Sequence, residues 1–251
     1  MARILTDEST LTKKLGSLTR EDRMLEVISR GEAVFAALLL VAGVVWAIWK
    51  GSSTLLIAGI VVAFLCAAHW MKIRENKREH KSVKAGLKGE VTVTQVLARE
   101  LSNDTYILND VTVKRGMHSA QIDHVVVSPK GIFLIETKNW RGKLSGDEKD
   151  RQWIQNKGGN IPPVKVSNPV MQNQRHLDVF SQFLKAHKID WPDVFLVLVM
   201  MNPTSEWDIG NLSATILRPD EVSEFISYHA SSRAYSEQEV DTVLSLLVKA
   251  R

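Results

Sequence analysis

Residues 121–138 read QIDHVVVSPKGIFLIETK, and the fold is decided by how this stretch is read. The runs 121–127 and 132–138 are rich in β-branched and aromatic residues. Ser128-Pro-Lys-Gly131 between them carries Pro129 where a turn pre-sets φ and Gly131 where it closes, so the pattern predicts a β-hairpin. With a connection of two or four residues, Val127 pairs with Ile132, and counting back places Asp123 opposite Glu136 and Gln121 opposite Lys138. A three-residue connection would reverse the parity. In the first register two carboxylates stand about 5 Å apart at Cβ on one sheet face, which destabilises a sheet unless a cation lies between them. Glu136 and Lys138, two residues apart, share a face while Thr137 takes the other.

Working outward, YILNDVTV at 106–113 is a further strand. The segment 87–101 places Leu87, Val91, Leu97 and Leu101 at helical spacing. Residues 139–168 read as a loop-rich stretch containing Gly142, Gly146, Gly158 and Gly159. A helix follows from Pro169 to about His187, then a strongly apolar strand at 194–200, then two helices starting near Pro219 and Ser236. Helix, three strands, helix, strand is an α/β order: a mixed sheet flanked by helices. The domain is expected over 86–230, with a C-terminal helix in 231–251.

Upstream, residues 33–49 and 54–71 form two runs without a formally charged residue, each close to the roughly 20 residues that cross a bilayer core. Only Lys50-Gly-Ser-Ser53 separates them, so the reading is a transmembrane helical hairpin over 31–73 with both flanks on one side. Arg3, Lys13, Lys14, Arg20, Arg23 and Arg30 precede it, and Lys72, Arg74, Lys77, Arg78, Lys81, Lys84 and Lys88 follow it, against Lys50 in the turn. That asymmetry puts both termini in the cytoplasm, at the inner membrane. Gly43 and Ala47 on the first run, and Gly59, Ala63 and Ala67 on the second, give each helix a low-relief face for packing within the hairpin or against a second copy. His69 reads as a solvated interfacial side chain. In 1–30, Thr19 followed by Asp22 reads as the N-cap of a short surface helix. The basic linker 74–85 suits anionic lipid.

The single cysteine, Cys66, lies inside the second apolar run, which excludes a disulfide framework and a cysteine zinc cluster. A net charge of +4 is too small to identify a partner by itself. Oxygen ligands without cysteine or paired histidine suit Mg²⁺ or Mn²⁺, and Mg²⁺ commonly combines one or two carboxylates with waters and substrate phosphates. Asp123, Glu136 and Lys138 therefore point to phosphodiester chemistry, although on spacing alone Glu136 and Lys138 also fit a plain strand-face salt bridge.

The stretch from Gly86 to about residue 229 resembles the nuclease-related domain called NERD, a branch of the PD-(D/E)xK superfamily. The resemblance is carried by Gly89-Glu90, the run from Gln121 to Asp147, Trp153, and NPVMQNQRH with Asn168, Pro169 and Gln172. It implies a restriction-endonuclease-like sheet, a metal and catalytic core of Asp123, Glu136 and Lys138, metal support from Glu90, and a role for Gln172 near the metal or the scissile phosphate. Ile122 stands where the superfamily motif has proline. The implied activity is that of a Mg²⁺- or Mn²⁺-dependent endonuclease on nucleic acid, DNA ahead of RNA. At the inner face of a membrane such an enzyme would suit defence against foreign DNA. The alternative is a non-catalytic nucleic-acid-binding or scaffold component of a membrane complex, assembled with itself or with a partner membrane protein.

His124, facing away from Asp123, reads as a buried structural imidazole. Gln172 and His176, four apart on one helix, are both placed to face the site. Lys114, Arg115, Arg141 and Lys143 flank it in sequence and suit phosphate contacts. Trp140 and Trp153 read as packing residues rather than base-stacking ones.

Overall fold

A strand with a continuous apolar stretch belongs in the middle of a sheet covered on both faces, and residues 131–138, apolar from Ile132 to Ile135, take that place. The computed structural model describes residues 1–5, 8–50, 54–190, 192–229 and 232–250. In chain order the elements are β1 (Arg3–Ile4), α1 (Glu8–Lys50), α2 (Thr54–Glu100), β2 (Tyr106–Arg115), β3 (His118–Ser128), β4 (Gly131–Lys138), β5 (Gly142–Asp147), β6 (Gln152–Asn156) and β7 (Val164–Ser167). There follow α3 (Pro169–Ala186), β8 (Val194–Met200), β9 (Ser205–Gly210), β10 (Ile216–Leu217), α4 (Pro219–Tyr228) and α5 (Glu237–Lys249). They form two units, Met1–Glu8 with Lys88–Arg251, and Ser9–Leu87; α2 contributes to both.

The larger unit is built on a mixed sheet of order β1-β2-β3-β4-β8-β10. β2, β3 and β4 are antiparallel, and β8 lies parallel to β4. Val127 pairs with Ile132 and Ser128 with Gly131, so the hairpin connection has two residues, as the turn chemistry predicts. Gly131 is required there: its φ is 124°, and a Cβ would lie 2.9 Å from the Asp193 carbonyl oxygen. One face of the sheet buries Val125, Val127, Ile132 and Leu134 against Phe180 and Phe183 of α3 and Val243 and Leu247 of α5. The other buries Val126, Phe133 and Ile135 against Val93 and Leu97 of α2 and Val222 and Ile226 of α4. The result is helix, sheet, helix: the mixed α/β architecture expected of a restriction-endonuclease-like fold.

Several expectations are corrected. The stretch 139–168 is not a loop. It supplies three strands of a second sheet, β7-β6-β5-β9, whose fourth strand comes from far along the chain. Its apolar alternation is short and broken by glycines, and β5 pairs in parallel with β9, so neither strand announces the sheet locally. Trp153 anchors it, fully buried, with its indole N–H donating to the Asp147 carbonyl at 2.9 Å.

Next, Thr19 is not at a helix start, because α1 runs unbroken from Glu8, and α2 joins the second apolar run, the basic segment and the 87–101 helix in one element. No proline interrupts either helix, and the basic segment is rich in residues that favour helix. Residues 3–4, read as part of a polar N-terminal segment, pair as β1 alongside β2.

Finally, His69 is not merely solvated. Its Nδ1 lies 3.4 Å from Glu32 in the smaller unit, where His80 Nδ1 also lies 2.8 Å from Asp22 and Lys84 pairs with the same carboxylate. Ala36 and Gly43 are buried on α1, so the small-residue face is the packed one. The turn at 51–53 lies outside the described residues. Among those described, Thr19–Lys50 is long and apolar enough to cross a membrane.

Truncating Trp153 tests the second sheet. Trp153→Ala should lower unfolding stability by about 3–5 kcal/mol, read as a large drop in melting temperature. A side chain on a mere surface loop would change it by less than about 0.5 kcal/mol.

Candidate active site

The site forms where β3 and β4 part. Their ladder ends at His124 and Ile135. Beyond that point β4 continues beside β8, with Glu136 opposite Leu198 and Lys138 opposite Met200, while β3 continues beside β2. Asp123 and Glu136 are thus adjacent in register without being a ladder pair. The Asp123 carboxylate takes over the missing partner's role, accepting the Thr137 backbone N–H at Oδ2 across 2.8 Å. The predicted apposition of Gln121 and Lys138 does not form; Gln121 pairs with Thr112 and its side chain donates to Asp110.

Asp110 marks the cause of the parting. It is a non-glycine residue at φ 53°, and Leu108 and Val111, three apart, both enter the same core cluster. Val125 and Ile122 on β3 do the same. Both strands change the facing of their side chains here, which regular pleating forbids. The sequence hint was Asn109-Asp110, a turn-prone pair inside a strand pattern.

Glu136 is 1% exposed. Its Oε1 accepts from Lys138 Nζ at 2.6 Å and from Gln172 Nε2 at 2.8 Å, and Lys138 Nζ also donates to Gln172 Oε1 at 3.1 Å. These three side chains close a triangle. Gln172 stands in the first turns of α3, whose N-cap Asn168 accepts from the Val170 and Met171 N–H groups. The Asn168 amide in turn donates to the carbonyls of Glu148 and Asp150, which fixes the helix start to the turn between β5 and β6. One helical turn on, His176 Nδ1 lies 3.4 Å from Glu136 Oε2. Gln172 and His176 both face the carboxylate, as their four-residue spacing predicts. Lys138 Nζ also lies 5.7 Å from the centroid of the Trp140 ring.

Burial, then the neighbouring Glu136 charge, pushes the Asp123 carboxyl up to about 7. Burial likewise raises Glu136, with Lys138 opposing and Glu90 adding repulsion. His176 is held low by burial and by Lys138. On the opposite sheet face, burial drives His124 down to about 3, so it is a neutral structural imidazole, as expected. Its Nδ1–H donates to Asn109 Oδ1 at 2.8 Å, and Thr94 Oγ1 lies 3.0 Å from both that oxygen and the Glu90 carbonyl.

The residues present suit a divalent cation. Glu136 Oε2 is buried with no hydrogen-bond donor, next to a second carboxyl whose charge burial disfavours. A buried charged oxygen left in that state is costly unless a cation completes it. Among the described residues no three His, Cys, Asp or Glu side chains gather as a self-sufficient metal cage. Mg²⁺, which takes water and phosphate for its remaining positions, does not need one. Of the flanking basic residues, Lys114, Arg115 and Arg141 are exposed, whereas Lys143 is paired with Asp208 at 2.9 Å. Trp153 packs in the core.

Residues 85–201 match the family model of NERD, described as a nuclease-related domain. An uncharacterised protein of Bacillus anthracis is 34% identical over 109 residues, an alignment covering 43% of this chain and 50% of that protein; the chain spans about half that relative's length. No solved structure matches the chain.

The raised Asp123 carboxyl has a consequence for the metal-free protein. Between the ordinary value of 3.8 and about 7 the folded state holds a proton that the unfolded chain has released. The associated stability is complete at low pH and is lost as pH rises through 7. Asp123→Asn should therefore melt above the parent at pH 8 in EDTA, with the gap closing toward pH 4. Equal melting temperatures at pH 8 would show that burial and the Glu136 charge do not disfavour the Asp123 carboxylate.

Proposed function

Over residues 85–201 the chain carries a domain of the NERD, nuclease-related, family, and on that premise we propose that the protein is a membrane-anchored nuclease that hydrolyses phosphodiester bonds, of DNA ahead of RNA. The observation that supports this most is the buried Glu136 carboxylate, with one oxygen bound by Lys138 and Gln172 and the other lacking a donor beside Asp123.

Asp123 and Glu136 would hold Mg²⁺ or Mn²⁺, with Glu90 as outer support. When bound, the cation polarises the phosphoryl oxygen and helps generate hydroxide. Lys138, held 2.6 Å from Glu136, supplies a fixed positive charge against the charge that grows on the phosphorane oxygens, and it orients the attacking water. Gln172 fixes the Glu136 carboxylate in one orientation while leaving the second oxygen open. Burial of the site strengthens each of these interactions relative to water. Exposed Lys114, Arg115 and Arg141 would hold backbone phosphates.

The anchor is the segment Thr19–Lys50 together with the second apolar run that opens α2. The excess of lysine and arginine on both flanks favours cytoplasmic termini, and Lys72 through Lys88 suit the anionic inner leaflet. A site of this kind at the inner membrane face fits action on entering foreign DNA. To test the topology, cysteines are placed singly in a Cys66→Ser chain and labelled from outside intact cells. Ser52→Cys should react and Gln238→Cys, at an exposed position of α5, should not; the reverse pattern would invert the orientation.

Catalysis is tested by two classes of substitution. Asp123→Ala or Glu136→Ala should abolish metal-dependent cleavage, because too few hard ligands remain to hold the cation against the phosphate. Lys138→Ala should retain Mg²⁺ binding in a calorimetric titration yet lower kcat by something like 10²- to 10³-fold, as loss of a positioned electrostatic group does. An Asp123→Ala protein that cleaves as fast as the parent would remove the nuclease reading and leave a nucleic-acid-binding scaffold.

A further inference from the structure

Beside Glu136 a groove of about 420 Å³ opens between α3 and the start of β3. His118 and Ser119 form one bank; Gln172, Arg175, His176 and Gln182 form the other. Two of its lining side chains, Gln172 and His176, are the ones that meet Glu136, so the groove ends one side chain away from the proposed catalytic carboxylate. From there it follows β3 away from Asp123 toward the turn that joins β2 to β3. Five residues of strand separate Asp123 from His118, roughly 17 Å at strand rise, or about five base-pair steps along a duplex strand.

The far end of this path is unusual. Gly116, at φ 58°, makes the turn tight and projects Met117, which is 101% exposed. Lys114, Arg115 and His118 surround it, all exposed. An apolar side chain held in water at the tip of a basic hairpin gains nothing from the protein's own core. Against a nucleic acid it has a use, since methionine is among the residues that wedge into a groove or between base steps while neighbouring cations hold phosphates. Arg175 on the α3 bank adds a further positive charge, and Asp178 is the acidic residue that lines the groove. On the other side of the site Lys143 is ion-paired to Asp208 and Arg141 is exposed, so positive charge stands on both sides, and it is the groove running from Gln172 and His176 to His118 that favours the hairpin direction.

We propose that this groove seats the nucleic-acid strand flanking the scissile phosphate, with Arg175 and Arg115 on its phosphates and Met117 at the hairpin tip lying against the bases. The assignment rests on the nuclease reading and extends it by giving the substrate a path: from Glu136 along α3 to the β2–β3 turn. A basic tip with an exposed methionine also suits a lipid surface; continuity with the Glu136 site decides for nucleic acid.

The test uses the full chain in detergent, with Ca²⁺ replacing Mg²⁺ to hold back cleavage, and reads anisotropy of a fluorescein-labelled duplex across a salt series. Arg115→Ala and Arg175→Ala should each weaken binding and reduce the slope of log K against log salt by about 0.9. Met117→Ala should weaken binding several-fold with the slope unchanged, and Lys249→Ala, remote on α5, should do neither. A bimane label on Met117→Cys in a Cys66→Ser chain should respond to duplex and not to phosphatidylserine nanodiscs. A parent chain that cleaves DNA while Arg115→Ala and Arg175→Ala bind at full affinity would overturn the groove alone, and so would a bimane response to lipid only. A parent chain that neither binds nor cleaves would remove both this assignment and the nuclease reading.

Discussion

Glu136 sits near the end of a strand whose preceding residues are all buried, and a carboxylate in that position is tolerated only if the surrounding structure supplies its partners. Lys138 comes from the same strand and the same face, two residues on, so the nearest positive charge is built into the pleat. A further partner comes from α3, which has to cross the sheet at one height and one rotation for Gln172 to donate to one oxygen and for His176, four residues on, to lie 3.4 Å from the other. That placement depends in turn on Asn168, which caps α3 and ties it to the Glu148 and Asp150 carbonyls. The second sheet, resting through Leu144, Trp207 and Val166 on Leu198 and Met200, thus holds in position the helix that satisfies Glu136.

The second constraint is the separation of β3 from β4. Two carboxylates on paired neighbouring strands repel one another, and a closed ladder would leave no room between them for anything else. Here the change of facing at Asp110 and Asp123 opens the ladder, and the Asp123 carboxylate satisfies the Thr137 N–H that the parted strand would otherwise leave without its partner. The opening therefore costs no backbone hydrogen bond at Thr137. It leaves a gap lined by carboxylates whose buried state favours either protons or a divalent cation, while on the opposite sheet face Asn109 accepts from both Thr94 and His124.

Much of this was legible in residues 121–138. The turn at Pro129-Lys130 fixed the hairpin register, the two-residue spacing put Glu136 and Lys138 on one face, and the helical spacing of 169–186 brought Gln172 and His176 together. Local chemistry sufficed in each case, because turns, pleats and helical turns repeat over a few residues. The second sheet was not legible: β5 meets β9 across some sixty residues, and its strands are short and broken by glycine. Likewise, Arg175 and His118 belong to distant segments, and only the crossing of α3 over the sheet makes them opposite banks of one groove.

By itself the sequence determined the segments that frame the site: the strands at 106–113, 121–127, 132–138 and 194–200, the helices that follow Asn168, Arg218 and Ser236, where the apolar N-terminal segments lie, and that Glu136 and Lys138 share a face. These follow from side-chain periodicity and turn preference, which act between near neighbours. Tertiary structure alone decided that β3 and β4 part at Asp123 rather than stay paired, that one oxygen of Glu136 is satisfied while the other is not, and that the loop-like stretch after Lys138 closes into a sheet. Those outcomes turn on burial and on hydrogen-bond competition among segments far apart in the chain, and no local pattern carries that information.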